Sequence, residues 1–189
     1  MATTEPIRSL DDLRAMSAYF LRRREYRNNA LLILGVHTAL RIGDLLKLRW
    51  SDVYDEKREE FRHHLSLVEH KTGKQKTIAL NDEAVAALQS VLPMRNSPYI
   101  FASRTGNGPI SRAQAWRIIR NAATAVGIQG QISCHSLRKT WGYHAWTSQA
   151  VSPVVIMKIY NHSSYEVTKR YLGIEQDELD QAYRAIKLF

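Results

Sequence analysis

The chain has 189 residues, 44% hydrophobic and 24% charged, a globular composition with enough apolar mass for a core and no internal repeat or low-complexity tract. Lysine and arginine exceed aspartate and glutamate by 27 to 18, and the formal charge of +9 suits a polyanionic partner or, more blandly, a solubilising basic surface. The single cysteine, Cys134, excludes an internal disulfide and argues against a cysteine-based metal site. The apolar run at 30–36 is too short to span a bilayer, so a reducing cytoplasm is the expected compartment.

Ser9 followed by Asp12 has the form of a capping box, and Leu10, Leu13, Met16 and Phe20 recur at helical spacing. That helix ends in Leu21-Arg22-Arg23-Arg24, a basic run that is either solvated or in contact with phosphate. Asn29 is expected to open a second helix over 30–40, almost wholly apolar and therefore central to the core. Arg41 then stands between apolar residues, where it needs a partner; Asp44 is the expected one, whether it orients Arg41 for a ligand or forms a plain surface pair. From 52 to 80 the pattern changes to strand-like alternation, at 61–69 and 76–80, around the turn Lys71-Thr72-Gly73-Lys74. A hairpin with a third strand near 50–55 is expected, and on local grounds Lys71 and Lys74 are ordinary turn residues.

Asn81 caps a helix to Leu92, stopped by Pro93, and 97–108 reads as a loop with Tyr99-Ile100-Phe101 as a candidate strand. Ser111 caps a helix over 112–126 that Gly127 ends. Its Arg112, Gln114, Arg117, Arg120 and Asn121 are types that read base edges, or simply the polar face of an amphipathic helix. A helix over 135–149 packs Trp141 and Trp146, and Pro153 starts a short one ending at Tyr160-Asn161. Ser163 with Glu166 forms a second capping-box pattern, so the helix carrying Tyr171 should begin just after His162 and stop at Gly173. The stretch 175–189 is amphipathic through Leu179, Tyr183 and Ile186; it either folds back or docks on a neighbour.

The most informative stretch is Cys134-His135-Ser136-Leu137-Arg138, read with His162 and Tyr171. Spacing of i, i+3 puts His135 and Arg138 on one helix face. A cation beside an imidazole disfavours charge on both, unless an anion lies between them. Phosphate is the natural anion for a guanidinium fork, and the Tyr171 hydroxyl is then the candidate nucleophile. Cys134 is the other nucleophile to weigh, against the commoner buried apolar cysteine.

Together these segments resemble the tyrosine recombinase (phage integrase) family over about residues 8–183. Ala39-Leu40-Arg41-Ile42-Gly43-Asp44-Leu45 looks like the family's first arginine motif and Lys71-Thr72-Gly73-Lys74 like its lysine hairpin. His135-Ser136-Leu137-Arg138 with Thr140 matches the second motif, and His162-Ser163-Ser164 leading to Arg170-Tyr171 the third. Each is weak alone; all four in this order form a specific signal. Tyr160-Asn161 stands where the family commonly has Leu-Gly, and asparagine, the next most tolerant residue of a left-handed terminus, should preserve that turn. The resemblance leaves no room for the family's N-terminal helical clamp domain, which suggests an excised catalytic domain or a short stand-alone recombinase akin to fimbrial phase-variation invertases.

The resemblance implies an α+β, mainly α-helical fold with a small antiparallel three-stranded sheet. It further implies one catalytic domain over 1–189, its core at 8–173 and a C-terminal helix at 174–189 that docks on a neighbouring protomer. It implies a mobile-element type of enzyme that cuts and rejoins DNA through a 3′-phosphotyrosyl link, for integration, excision or inversion. Tyr171 would attack phosphorus, His135 would assist its proton, Arg41 and Arg138 would grip the phosphate, His162 would add a hydrogen bond, and Lys71 (or Lys74) would protonate the departing 5′-oxygen. No cofactor, metal or ATP is implied. The partner would be double-stranded DNA, contacted by Arg112, Gln114, Arg117, Lys139 and Arg22, with four protomers on two duplexes, a monomer when free, and no membrane. Two alternatives use the same fold: a type IB topoisomerase-like enzyme, and a DNA-binding regulator without recombinase activity.

Overall fold

The computed structural model describes residues 4–104 and 108–186. Helix α1, Leu10–Arg22, starts where the Ser9 hydroxyl accepts the Asp12 N–H at 3.2 Å. Helix α2, Tyr26–Thr38, starts earlier than its sequence suggests. Asn29 does not open it; it is buried within the first turns and accepts a hydrogen bond from Ser17 on α1 at 2.8 Å. A polar residue that looks like a cap instead bridges two helices.

Short helices α3, Ile42–Leu45, and α4, Trp50–Val53, lead to four strands: β1 Tyr54–Asp55, β2 Glu60–Phe61, β3 His64–Val68 and β4 Gln75–Ala79. The expected three-stranded sheet is corrected here to two separate antiparallel pairs, β1 with β2 and β3 with β4. The reason is a break at 62–63: the Arg62 N–H turns back to the Val53 carbonyl, while the His63 carbonyl takes the Leu80 N–H, so no strand runs through. Strand β3 pairs with β4 in the register His64↔Ala79 to Val68↔Gln75.

Helix α5, Asp82–Val91, is capped by Asn81, and a 3-10 turn at Leu92–Met94 carries Pro93. The Tyr99 region makes single bridges, Arg49↔Tyr99 and Ala102↔Pro109, rather than a strand; part of its loop, 105–107, lies outside the described residues. Helix α6, Arg112–Ala125, is followed by α7, Cys134–Thr147, α8, Pro153–Tyr160, α9, Tyr165–Leu172, and α10, Ile174–Ala185. The cap of α9 is Ser164, one residue later than expected, because its hydroxyl is the one that accepts the Val167 N–H. Residues 187–189 of the expected last helix lie outside the described residues.

The apolar α2 forms the middle of the core, packed on α1, α5 and α7. A second apolar cluster joins Ala39, Ile156, Tyr160, Leu172 and Ile174, with Trp141 and Trp146 against it. Helices α7, α8 and α9 meet closely there: a methyl on Gly142 would come within 2.6 Å of both Leu172 and the Tyr160 hydroxyl. That close approach, open only to glycine, brings the residues of three sequence-distant segments to one place. No helix among the described residues is long and apolar enough to cross a membrane.

Candidate active site

Helix α2 ends at Ala39, whose φ of 51° is left-handed, and the chain turns there to present Arg41 at the start of α3. The buried Arg138 on α7 holds that turn: one guanidinium nitrogen donates to the Ala39 carbonyl, another to the Tyr160 carbonyl at 3.4 Å. Its plane lies over the Tyr160 ring, 4.6 Å from the centroid. The Tyr160 hydroxyl in turn donates to the Arg138 carbonyl. Arg138 is therefore fixed at the junction of the α2 terminus and α8.

Asn161 ends α8 in the left-handed conformation, φ 56°, as expected for an asparagine in that place. The turn delivers His162, whose Nδ1 is 3.1 Å from the Thr168 hydroxyl. Tyr171, on α9, is surrounded: the His135 ring is 5.3 Å away edge-on, the His162 ring 4.9 Å, the Tyr160 ring 5.3 Å, and the Lys139 ammonium 5.2 Å from its centroid. The Tyr171 hydroxyl is buried and makes no hydrogen bond of good geometry among the described residues. A buried hydroxyl so poorly satisfied is unfavourable, and a catalytic role is one physical reason to keep it.

Burial raises the Tyr171 pKa, with nearby Arg138 and Arg41 opposing. His135 is partly open to solvent as an exposed residue, yet the protein that does cover it, then Lys139, Arg138 and Arg41, push its pKa down to about 4. Both causes disfavour imidazolium, so the ring is neutral near pH 7 and has a free lone pair. Burial and the same two arginines lower His162 as well. Cys134 is buried and its thiol is pushed up to about 12, so it is no nucleophile.

His37 is also lowered, by burial against an opposing pair with Glu83. Each of these histidines accepts a proton less readily folded than unfolded, where the pKa is about 6.5. Unfolding then takes up protons, and stability falls as pH drops from about 7 through 6.5 towards the folded values. A lower thermal midpoint at pH 5 than at pH 7.5 is the expected result, with a smaller difference in His135→Gln.

Arg41 is paired, but not with Asp44: its Nη1 lies 2.9 Å from Glu69 Oε1, while Asp44 accepts the His70 N–H at 3.0 Å. Sequence reasoning missed Glu69 and also Lys76. The Lys76 ammonium sits 3.9 Å from Glu69 and donates to the Ile159 carbonyl at 3.2 Å. Its pKa is pushed down to about 8 by burial, then by Arg138 and Arg41, against the opposing pull of Glu69. The alternation of β4 already put Lys76 on one face with Ile78, which was the available signal.

Lys71 is exposed on the β3–β4 turn and makes no hydrogen bond or ion pair among the described residues, whereas Lys74 donates to Asn161. Arg112 lies beside α3, where a methyl on Gly43 would strike its guanidinium. Gln114 and Arg117 line a separate cleft of about 730 Å³ with Arg24, Arg27 and Arg104. Arg22 is exposed at the end of α1. Lys139 is a correction: it is buried and donates to the Thr4 carbonyl at 2.7 Å, so it faces the N-terminal segment rather than an open surface.

This fold, with a tyrosine ringed by two histidines, a second tyrosine and a lysine and with Arg138 near its hydroxyl, defines a class that the comparisons identify. The model of the phage integrase family matches residues 9–178, and the chain belongs to that family. It is 36% identical over 185 residues to the probable integrase/recombinase YoeC of Bacillus subtilis, covering 97% of each chain. The crystal structure of XerA recombinase superposes with a TM-score of 0.73 at 22% identity, covering 96% of this chain and 63% of that one. A lambda integrase tetramer bound to a Holliday junction gives 0.68 at 20% identity, covering 90% and 48%. The chain thus spans only part of either structural neighbour.

Proposed function

We propose that the protein is a site-specific DNA recombinase that breaks and rejoins strands through Tyr171. The observation that carries this is the buried Tyr171 hydroxyl, without a well-aligned hydrogen bond among the described residues, beside a neutral His135 and the fixed Arg138. Tyr171 oxygen attacks phosphorus; the O–P bond forms as the bond to the 5′-oxygen breaks. The phenol proton passes to His135, because a tyrosine of raised pKa is un-ionised at rest. Arg41 and Arg138 stabilise the charge on the five-coordinate phosphorus, and His162 adds a hydrogen bond. The 3′-phosphotyrosyl ester keeps the energy of the broken bond, so a 5′-hydroxyl of the partner duplex reseals it without ATP.

Lys71 is proposed to protonate the departing oxygen, since its ammonium is unengaged among the described residues, whereas Lys76 is tied to Ile159 and serves as a fixed charge. Lys71→Ala should slow cleavage about 100-fold, the usual scale of general-acid loss. A substrate with sulfur at the 5′-bridging position needs no proton on its leaving group and should restore the rate. The same substitution at Lys76 should not be rescued.

Family membership and a lambda integrase tetramer on a Holliday junction as structural neighbour support double-stranded DNA as partner and a four-protomer assembly. Such work on DNA belongs in the cytoplasm. Helix α10 leaves Leu179 and Tyr183 exposed, as is Ile186 just past its end, and we assign this apolar side to docking on a neighbouring protomer. The test is covalent capture. A pool of nicked duplexes with randomised sequence, incubated with the protein, should give an SDS-resistant adduct whose DNA ends, once sequenced, report the target. EDTA should not affect it. No adduct from any duplex, with DNA still bound, would favour the regulator reading.

A further inference from the structure

We propose that Glu69 is a positioning residue that aims Arg41 at the phosphate and ties the turn carrying Lys71 to it. The inference rests on the recombinase reading above. Glu69 is 5% exposed, and a buried carboxylate is costly unless it is paired and hydrogen-bonded. Its two oxygens are divided between two jobs. Oε1 faces Arg41 at 2.9 Å and Lys76 at 3.9 Å, while Oε2 accepts the Thr72 hydroxyl at 2.9 Å. Burial works against the charged carboxyl, but the Thr72 hydroxyl, then Arg41 and Lys76, outweigh it and draw its pKa below the ordinary range.

The backbone makes the link stiff. The Glu69 N–H donates to the Lys74 carbonyl at 2.9 Å and the Gly73 N–H to the Glu69 carbonyl at 2.8 Å, closing the turn around Lys71. Asp44 pins the same turn through His70. Arg41 is thus aimed by a carboxylate that belongs to the lysine turn, and the two groups cannot move independently. Among the described residues the contact leaves most of the guanidinium free: only Nη1 faces Glu69, and without the alignment of a full hydrogen bond. The other donors remain for an incoming phosphate, so Glu69 does not need to leave for DNA to bind.

The test is Glu69→Gln in the full chain, on a duplex recovered by covalent capture with the unaltered protein. Glutamine keeps the acceptor for Thr72 and loses the charge that directs Arg41. At saturating protein, single-turnover cleavage should fall about 10- to 100-fold, the scale of a small misplacement of a reacting group. The Kd for duplex DNA should stay within about 3-fold, because phosphate contacts elsewhere dominate affinity. A merely structural role would weaken binding and cleavage together. Unchanged or faster cleavage would overturn the proposal, faster cleavage marking Glu69 as a lid over the phosphate site. Should Glu69→Gln lower the thermal midpoint, Thr72→Val decides: it frees the other oxygen and should give a smaller loss of rate, again without loss of affinity. An unaltered protein that captures no duplex sinks the recombinase reading itself; one that does, alongside an equally active Glu69→Gln, sinks only this inference.

Discussion

Phenylalanine in place of Tyr171 is expected to abolish covalent capture of DNA, by a factor on the order of 10⁴ or more in cleavage rate, as for removal of other enzymic nucleophiles. The same change should leave stability unaltered or slightly raised. The hydroxyl makes no well-aligned hydrogen bond among the described residues and has only the nearby Arg138 guanidinium, which is already committed to two carbonyls, so its removal costs little and relieves a desolvated polar atom. The ring contacts with His135, His162 and Tyr160 stay, since phenylalanine keeps the ring. Loss of the adduct at an undiminished thermal midpoint, with duplex binding retained in a gel-shift assay, would separate chemistry from folding. A persisting adduct would shift the nucleophile to Tyr165 or Tyr160. Tyr160 is poorly suited, because burial raises its pKa further still and its hydroxyl is already committed to the Arg138 carbonyl.

Arg138 should behave in the opposite way, losing activity and stability together. In Arg138→Ala the Ala39 and Tyr160 carbonyls lose their donors, at about 1–3 kcal/mol for each left unsatisfied. The stack on Tyr160 goes too. Cleavage should fall about 10²- to 10³-fold from lost charge stabilisation alone. Arg138→Lys keeps the charge but not the planar fork, so it should regain part of the stability and little of the rate. Because Arg138 holds the turn two residues before Arg41, the two arginines should not be additive: an Arg41→Ala, Arg138→Ala double variant should lose less than the product of the single losses. Single-turnover cleavage and thermal unfolding on the same four proteins would measure both effects.

Much of this was legible in the sequence, for local reasons. Ser9, Asn81 and Ser111 cap the helices that follow because side-chain oxygens satisfy first-turn N–H groups, a rule that acts over three residues. Asn161 took its left-handed turn for another local reason, the backbone tolerance of asparagine at positive φ. His135, Arg138, His162 and Tyr171 do meet, as their family motifs suggested. What stayed hidden was set by contacts between distant segments. Asp44 was the nearest carboxylate to Arg41 in sequence, yet the folded hairpin puts Glu69 there. Lys139 lies next to Arg138 on a basic helix, but the adjacent face of α7 is covered by the N-terminal segment. Asn29 resembles a cap until α1 lies across it, and a continuous strand pattern at 61–69 conceals a bend made by backbone bonds alone.

The lone thiol has a practical consequence. Cys134 is buried, and at working pH it is a thiol rather than a thiolate, so alkylating dyes should ignore it in the native protein. The chain is therefore a ready background for a reporter. A cysteine introduced at Gln75, exposed at the start of β4, would carry a fluorophore whose signal reports a duplex arriving beside the hairpin.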